Sequence, residues 1–463
     1  LNRISTLPNN EVKGISMKNH SPKMALGRVL ATAATGILLA GALVACSSTS
    51  GATSSAGGAK DIAAALQKTT TITYWSWTPQ AKDQVAAFEK AYPKITVKLV
   101  NAGTGNDEYT KLQNAIKAGS GAPDVAQIEY YAMPQFELSK SLADLSAYGL
   151  GSLESKYSAS TWQSVTEGSA IYGLPQDSGP MALFYNKKVF DQYGLGVPAT
   201  WDEYIAAAAK LHAADPTKYI TSDAGDAGLT TSLIWQAGGK PYVSTADSVS
   251  VNLQDAGSKK YADMWNQLVE PGLLAQTPSW SDEWWKSLNN GTISSLLMGA
   301  WMPGNLETGA LDSAGDWRVA PLPSYDGKAA TSQNGGGAQA VLAQSKNKLA
   351  AAGFLQWINS GPGVAVFLKG GGFPSTTAEL SDPAFLAQAP EYFGGQKINE
   401  VLSQASKDVV TGWQYLPFQT YANSIFSDTV GKSYADKSDL NKGLVAWQDA
   451  SKTYATQQGF TVK

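Results

Sequence analysis

Side chains able to perform nucleophilic or metal chemistry are scarce in this chain. Its 463 residues include two histidines and one cysteine. His20 lies in a leader-like N-terminus, and His212 falls in the helical pattern "YIAAAAKLHAA" with no acid–base partner spaced around it, as a solvated helical residue would. That leaves little material for zinc coordination or for Ser-His and Cys-His nucleophiles. G-x-S-x-G, H-E-x-x-H and Walker-type patterns are absent. The glycine-rich "QNGGGAQ" (Gln333–Gln339) lacks the Lys-Ser/Thr of a phosphate cradle. Its glycines suit a turn, or a close backbone approach to a neutral ligand with Gly336 at the contact. Carboxylates remain, since 38 Asp and Glu always allow a pair. Glycoside hydrolysis needs only two at the right separation.

Aromatic rings are the abundant functional material: 14 Trp, 20 Tyr and 12 Phe, against 16% charged residues and a net charge of −3. That balance is too weakly basic to neutralise nucleic-acid phosphates. Trp75, Trp77, Trp235, Trp280, Trp284, Trp285, Trp301 and Trp413 stand near Gly, Pro, Ser and Asp rather than in aliphatic runs. A pyranose has an apolar C–H face that stacks on an indole and a hydroxyl edge that needs polar partners. Core filling is the ordinary alternative for each ring. In "DEWWKSL" the adjacent Trp284 and Trp285 point apart on a helix, so at most one faces a ligand.

The N-terminus reads as an export signal. Met17 is followed by Lys18, Lys23 and Arg28, then the uncharged run Val29–Val44. At 16 residues, rich in Ala, Gly and Thr, that run is short for a membrane span, which takes about 20. Residues 1–16 precede Met17, the plausible start of the leader. "LVAC" resembles a bacterial lipobox, which implies cleavage before Cys46 and lipidation of its thiol. Ser47–Ala59 contains only Ser, Thr, Gly and Ala and reads as a tether. Removing residues 1–45 takes away five basic and one acidic residue, leaving 30 against 37, a net of −7.

Positioning the rings falls to an alternation of strands and helices. "TITYW" reads as a strand, and the following segment as a helix through Val85, Phe88 and Ala91 with Pro79 near its start. "KITVKLV" alternates as a strand, "DEYTKLQNAIKAG" as a helix closed by Gly119, and "APDVAQIE" as a third strand. Such alternation predicts an α/β domain with a mostly parallel sheet. Ligands of such sheets bind at the carboxyl ends of the strands, where Trp75, Trp77, Glu129, Tyr130 and Tyr131 fall. Thr200 and Glu203 form a capping-box pattern opening another helix, and Leu349–Gly361 reads as an amphipathic helix. So much chain predicts two lobes.

From Thr71 onward the chain resembles the extracellular solute-binding proteins of ABC carbohydrate importers, the maltose-binding-protein-like class. "YGLPQDSGPMALFYNKKVFDQYGLGVPATWDEY" (Tyr172–Tyr204) carries the most specific match, and "GAPDV", "LMGAWM", "GGGAQAVLAQSKNKLAAAGFLQWI" and "GGFPST" follow the family order. The resemblance implies an α/β, two-lobe periplasmic-binding-protein-like fold with crossing hinge segments and a ligand cleft between lobes. It places residues 61–176 and 330–374 in the first lobe, and 177–329 and 375–463 in the second. Residues 1–45 are the signal peptide, and 46–60 the lipidated Cys46 with its tether. Crossings fall near Pro175–Pro180, Ala320–Gln333 and Phe373–Thr376. Asp177 matches a hinge-side position that bonds sugar hydroxyls, and Trp301 a stacking aromatic. Trp77, Glu129 and Tyr130 match first-lobe loop positions, and Trp413 a C-terminal aromatic region.

The resulting expectation is a monomeric, lipid-anchored protein outside the cell membrane that binds an oligosaccharide and hands it to permease subunits. It needs no cofactor or metal and binds no nucleic acid. Trp75, Trp77, Glu129, Tyr130, Asp177, Trp235, Trp280, Trp301, Gly336 and Trp413 are its expected ligand-binding residues. The alternative is a secreted glycoside hydrolase using carboxylates such as Asp177 and Glu129.

Overall fold

The structure is a computed structural model and describes residues 58–245 and 247–463. The leader, Cys46 and the tether up to residue 57 lie outside the described residues. Helix α1 (Ala59–Ala65) takes up the end of the expected tether. Its Ile62 and Leu66 are buried in the first core, against Gly353. Burial of those two side chains favours helix where composition alone suggests coil.

The first lobe follows the predicted alternation: β1 (Thr70–Trp75), α2 (Ala81–Ala91), β2 (Ile95–Val100), α3 (Asn106–Ala118), β3 (Val125–Glu129) and α4 (Met133–Leu138). In α2 the buried positions are Ala81, Gln84, Val85 and Phe88, while Ala91 is exposed because the helix ends there. Gly119 closes α3 at φ 67°, a left-handed conformation that glycine adopts without a Cβ clash. Strands β2, β1 and β3 are parallel neighbours, so the ends of β1 and β3 lie side by side. Gly337–Val341 then pairs antiparallel with β3 and with Leu174–Pro175, bringing a distant segment into the sheet. The lobe's core runs from Ile62 to Leu174 and from Ala338 to Ile358.

The second lobe is built differently. Its central sheet is antiparallel throughout: Met181–Asn186 lies between Ser295–Gly299 and Trp317–Pro321. Helices Trp201–Ala214, Ala227–Gln236, Ala256–Val269 and Leu440–Gln457 contribute to one core cluster. A second cluster holds Trp284, Trp317 and Leu402. Phe373, assigned by sequence to the first lobe, is buried in this cluster with its ring 6.0 Å from Phe385.

Three extended segments run side by side between the lobes. Asp177 pairs with Pro374 and Pro180 with Gln333, both antiparallel. Ser178 Oγ donates to Pro374 O (3.0 Å), and Ser375 Oγ to Pro175 O (3.1 Å). Gly179 N donates to Gln333 Oε1 (2.7 Å), and Asn334 N to Gly179 O (2.8 Å). A Cβ at Gly179 would stand 2.2 Å from Asn334 O, so this approach requires glycine.

Candidate functional site

The loop after β1 is held by one buried side chain. Gln127, in the middle of β3, accepts from Ser76 Oγ (2.6 Å), Trp77 N (3.2 Å), Thr78 N (3.2 Å) and Thr78 Oγ1 (2.8 Å). Trp77 therefore projects from a fixed turn. Its ring meets Tyr109 of α3 edge-on at 6.1 Å, and Tyr109 meets Tyr131 at 6.1 Å. Trp75 stays in the sheet, paired with Val100 and Ala126 and packed against the first core.

Glu129 closes β3 beside these rings. Tyr109 Oη donates to Glu129 Oε2 (3.1 Å) and accepts from Glu129 N (2.8 Å). Burial pushes the Glu129 carboxyl up to about 7, against the lowering effect of the Tyr109 and Tyr131 hydroxyls. Glu108, on the first turn of α3, is fully buried. Neither of its oxygens has a hydrogen-bond partner among the described residues, and burial lifts its carboxyl to about 8.

Tyr130, Asp177 and Gly336 form one unit at the hinge. Tyr130 Oη donates to Asp177 O (2.7 Å), and Asp177 Oδ1 accepts from Gly337 N (2.7 Å). Gly336 has φ 88°, and a Cβ there would fall 2.9 Å from Tyr130 Cε2. Tyr130 is itself buried, so its ring packs behind the hinge while its hydroxyl is spent on backbone. Burial raises Asp177 to about 6.

Across the hinge, Trp301 Nε1 donates to Asn334 O (2.7 Å). Trp280 lies 5.8 Å from Trp301 at 32° and is 48% exposed. Its φ of 70° is an outlier for a bulky residue, a strain that collects at functional positions. Trp284 is buried in the core and Trp285 is half-buried. Trp235 and Trp413 lie deeper, stacked face to face at 5.3 Å and 8° and both buried. Trp235 donates to Val410 O (2.5 Å), while Trp413 Nε1 has no partner among the described residues. Tyr415 stands edge-on to both and packs on both lobes' cores.

The hinge thus gathers Tyr130, Asp177, Trp301 and Gly336 directly, and Trp77 and Glu129 flank it on the first-lobe side. Trp235 joins through its own helix, where Ser232 Oγ donates to Gln333 O (2.8 Å). Gln127, Tyr109, Tyr415 and Asn334 were not singled out from sequence. A lone glutamine inside the buried run of β3 singles out Gln127 as unusual, and no local signal marks the other three. His212 is half-buried rather than solvated: Nδ1 lies 3.0 Å from Lys218 O, and its ring packs on Tyr219. Among the described residues no group of three or more His, Cys, Asp or Glu is placed to hold a metal ion.

Residues 74–365 match the model of the bacterial extracellular solute-binding protein family, more than half of the chain. The chain belongs to that family. This solute-binding protein is similar to a solved ABC transporter-associated binding protein from B. animalis subsp. lactis, in complex with β-1,6-galactobiose. Identity is 45%, covering 85% of this chain and 99% of the other, at a TM-score of 0.79. A galacto-N-biose/lacto-N-biose I-binding protein from Bifidobacterium longum, solved with lacto-N-biose, is 29% identical over 85% and 98% of the two chains, TM-score 0.75. A lactose-binding protein of Rhizobium radiobacter is 27% identical over 71% of this chain and 80% of its own.

Proposed function

We propose that this solute-binding protein captures a neutral, β-linked galactose-containing oligosaccharide and delivers it to the permease of an ABC importer. The observation that carries the reading is the hinge arrangement. Trp301 of the second lobe is fastened to the crossing at Asn334, the Trp77 loop of the first lobe meets Gln176 through Thr78, and the neighbouring carboxylate of Asp177 has one oxygen held by Gly337 N. Stacking on indole faces suits the apolar side of a pyranose, and the carboxylates of Asp177 and Glu129 suit its hydroxyls. Ligands named for the three relatives, β-1,6-galactobiose, lacto-N-biose and lactose, support the galactoside class.

In this reading Trp75, Trp77, Glu129, Trp280 and Trp301 face or frame the sugar. Tyr130, Asp177 and Gly336 set the hinge against it, and Trp235 and Trp413 form the floor. Residues 61–176 and 330–374, apart from Phe373 at the crossing, move as one lobe against 177–329 and 375–463, in a ligand-driven shift of open and closed populations. The protein works as a monomer, catalyses nothing, uses no cofactor and is tied to the outer face of the cell membrane through Cys46.

Isothermal titration of the purified protein with β-1,6-galactobiose, lacto-N-biose and lactose tests the reading. A saturable one-site heat with at least one of them is expected. Heat that continues with sugar consumption would mean turnover and replace binding with hydrolysis.

A further inference from the structure

Five side chains run in line from helix Lys348–Ser360 to the turn that carries Trp77. Asn359 Nδ2 donates to Gln339 Oε1 (2.6 Å). Gln339 Nε2 donates to Gln176 Oε1, and Gln176 Nε2 to Thr78 Oγ1 (3.2 Å). Thr78 Oγ1 in turn donates to Gln127 Oε1 (2.8 Å), the oxygen on which the Trp77 and Thr78 amides converge. Asn359, Gln339, Gln176 and Gln127 are buried, and Thr78 is half-buried. Gln176 also belongs to the hinge: its backbone N donates to Gly337 O (2.9 Å), one residue before Asp177.

The bonds share one sense. Gln339 and Gln176 each accept at oxygen and donate through nitrogen toward the turn, and the Thr78 hydroxyl does both. That sense is locked at its start. The second proton of Gln339 Nε2 goes to Tyr74 Oη (3.0 Å), and that of Asn359 Nδ2 to Leu174 O (3.1 Å). Turning either amide over would set oxygen against oxygen in a buried site. Bonds aligned in this way polarise one another in a low-dielectric interior, so loss of one link weakens the next. An apolar residue at 339 would fill the same place in the sheet, but it would hand no donor on to Gln176.

We propose that Gln176 and Gln339 are positioning residues that hold the Trp77 turn against the hinge crossing, so that the indole is in place before sugar arrives. Such preorganisation removes an ordering cost from binding. The inference rests on the sugar-binding reading above. Amide exchange of the sugar-free protein, with titration of β-1,6-galactobiose into the same variants, tests it. Gln339→Met is expected to speed exchange at the Trp77 and Thr78 amides at least about tenfold and to leave β2 at its wild-type rate. It should also weaken the sugar at least about fivefold. Thr78→Val cuts the line outside the core and should cost about the same, while Thr78→Ser keeps the hydroxyl and should stay within about twofold of wild type. Thr78→Val combined with Gln339→Met should bind no more weakly than the weaker single variant, because both cut one line. Unchanged exchange at Trp77 and Thr78 in Gln339→Met, or losses that multiply in the double variant, would overturn the positioning role. If Gln339→Met does not fold, equal affinities of Thr78→Val and Thr78→Ser would overturn it. A wild type that binds no sugar would overturn the sugar reading, and exchange at the two amides would still decide whether the line holds the turn.

Discussion

The indole N–H of Trp301 donates to the carbonyl of Asn334 at 2.7 Å, so an aromatic face of the second lobe is fastened to a hinge segment. The bond fixes the plane of the ring as well as its position. Trp301→Ala is expected to weaken sugar binding by at least about tenfold, or about 1.4 kcal/mol. Trp301→Phe keeps a stacking face but loses the bond, and should fall between the two. Unchanged affinity in the alanine variant, read by titration calorimetry, would remove Trp301 from the site.

Gly179 lies where two crossing segments touch. Its absent Cβ would overlap Asn334 O at 2.2 Å, a contact with backbone that no side-chain rotation relieves. Gly179→Ala should therefore separate the segments at a cost of about 1–3 kcal/mol, as overpacking does. A lowered melting temperature together with weaker sugar binding is the expected pair of results. A normal melting curve would mean the crossing has slack.

Burial raises Glu108 to about 8, Glu129 to about 7, Glu137 to about 8 and Asp177 to about 6. Each folded-state value lies above the unfolded one, so the folded chain holds its protons more tightly. The stability from these groups is fully present below about pH 4 and is lost as pH rises through their folded values. Thermal melts should therefore lose ground between about pH 4 and 8, setting aside groups with lowered values. Glu108→Gln removes the buried charge and should melt about 2 °C above wild type at pH 8, with the gap closing by pH 5. A gap that persists unchanged at pH 5 would point to packing instead of ionisation.

Helix Trp201–Ala214 opens with both halves of a capping box: Thr200 Oγ1 accepts from Glu203 N (3.3 Å), and Glu203 Oε2 accepts from Thr200 N (3.3 Å) and also from Ala199 N (2.7 Å). Thr200→Ala is expected to cost about 1 kcal/mol in denaturant unfolding, without altering sugar affinity. Loss of binding in a folded variant would tie this helix start to the cleft.

That box could be read directly from Thr200 and Glu203 because its partners are three residues apart. Likewise β1, α2, β2, α3 and β3 follow from local periodicity and from Gly119. Contacts made across long stretches left no such trace. Gln127 and Ser76 are 51 residues apart, and nothing local marks the glutamine as the anchor of the Trp77 loop. The tryptophans show the same limit. Trp77 and Trp301 stand at the hinge, while Trp235 and Trp413 are buried against each other, yet each of the four has Gly, Pro or Ser within a few residues. Composition around a ring reports a loop or a helix end, and only the fold decides which face remains open. The antiparallel sheet of the second lobe was hidden for a similar reason, because Met181–Asn186 pairs with strands that begin at Ser295 and Trp317.

Membrane attachment makes a separable prediction. No helix among the described residues is long and apolar enough to cross a membrane, so in our reading attachment rests on Cys46. A diacylglyceryl group contributes about 0.8 kcal/mol per buried methylene, and two chains suffice for stable anchoring where one does not. The protein should enter the detergent phase on Triton X-114 partitioning and incorporate labelled palmitate. Cys46→Ser should stay in the aqueous phase without label and bind sugar as tightly as wild type, because position 46 lies well before α1. A variant that still enters the detergent phase would mean that an uncleaved leader, rather than a lipid, holds the protein at the membrane.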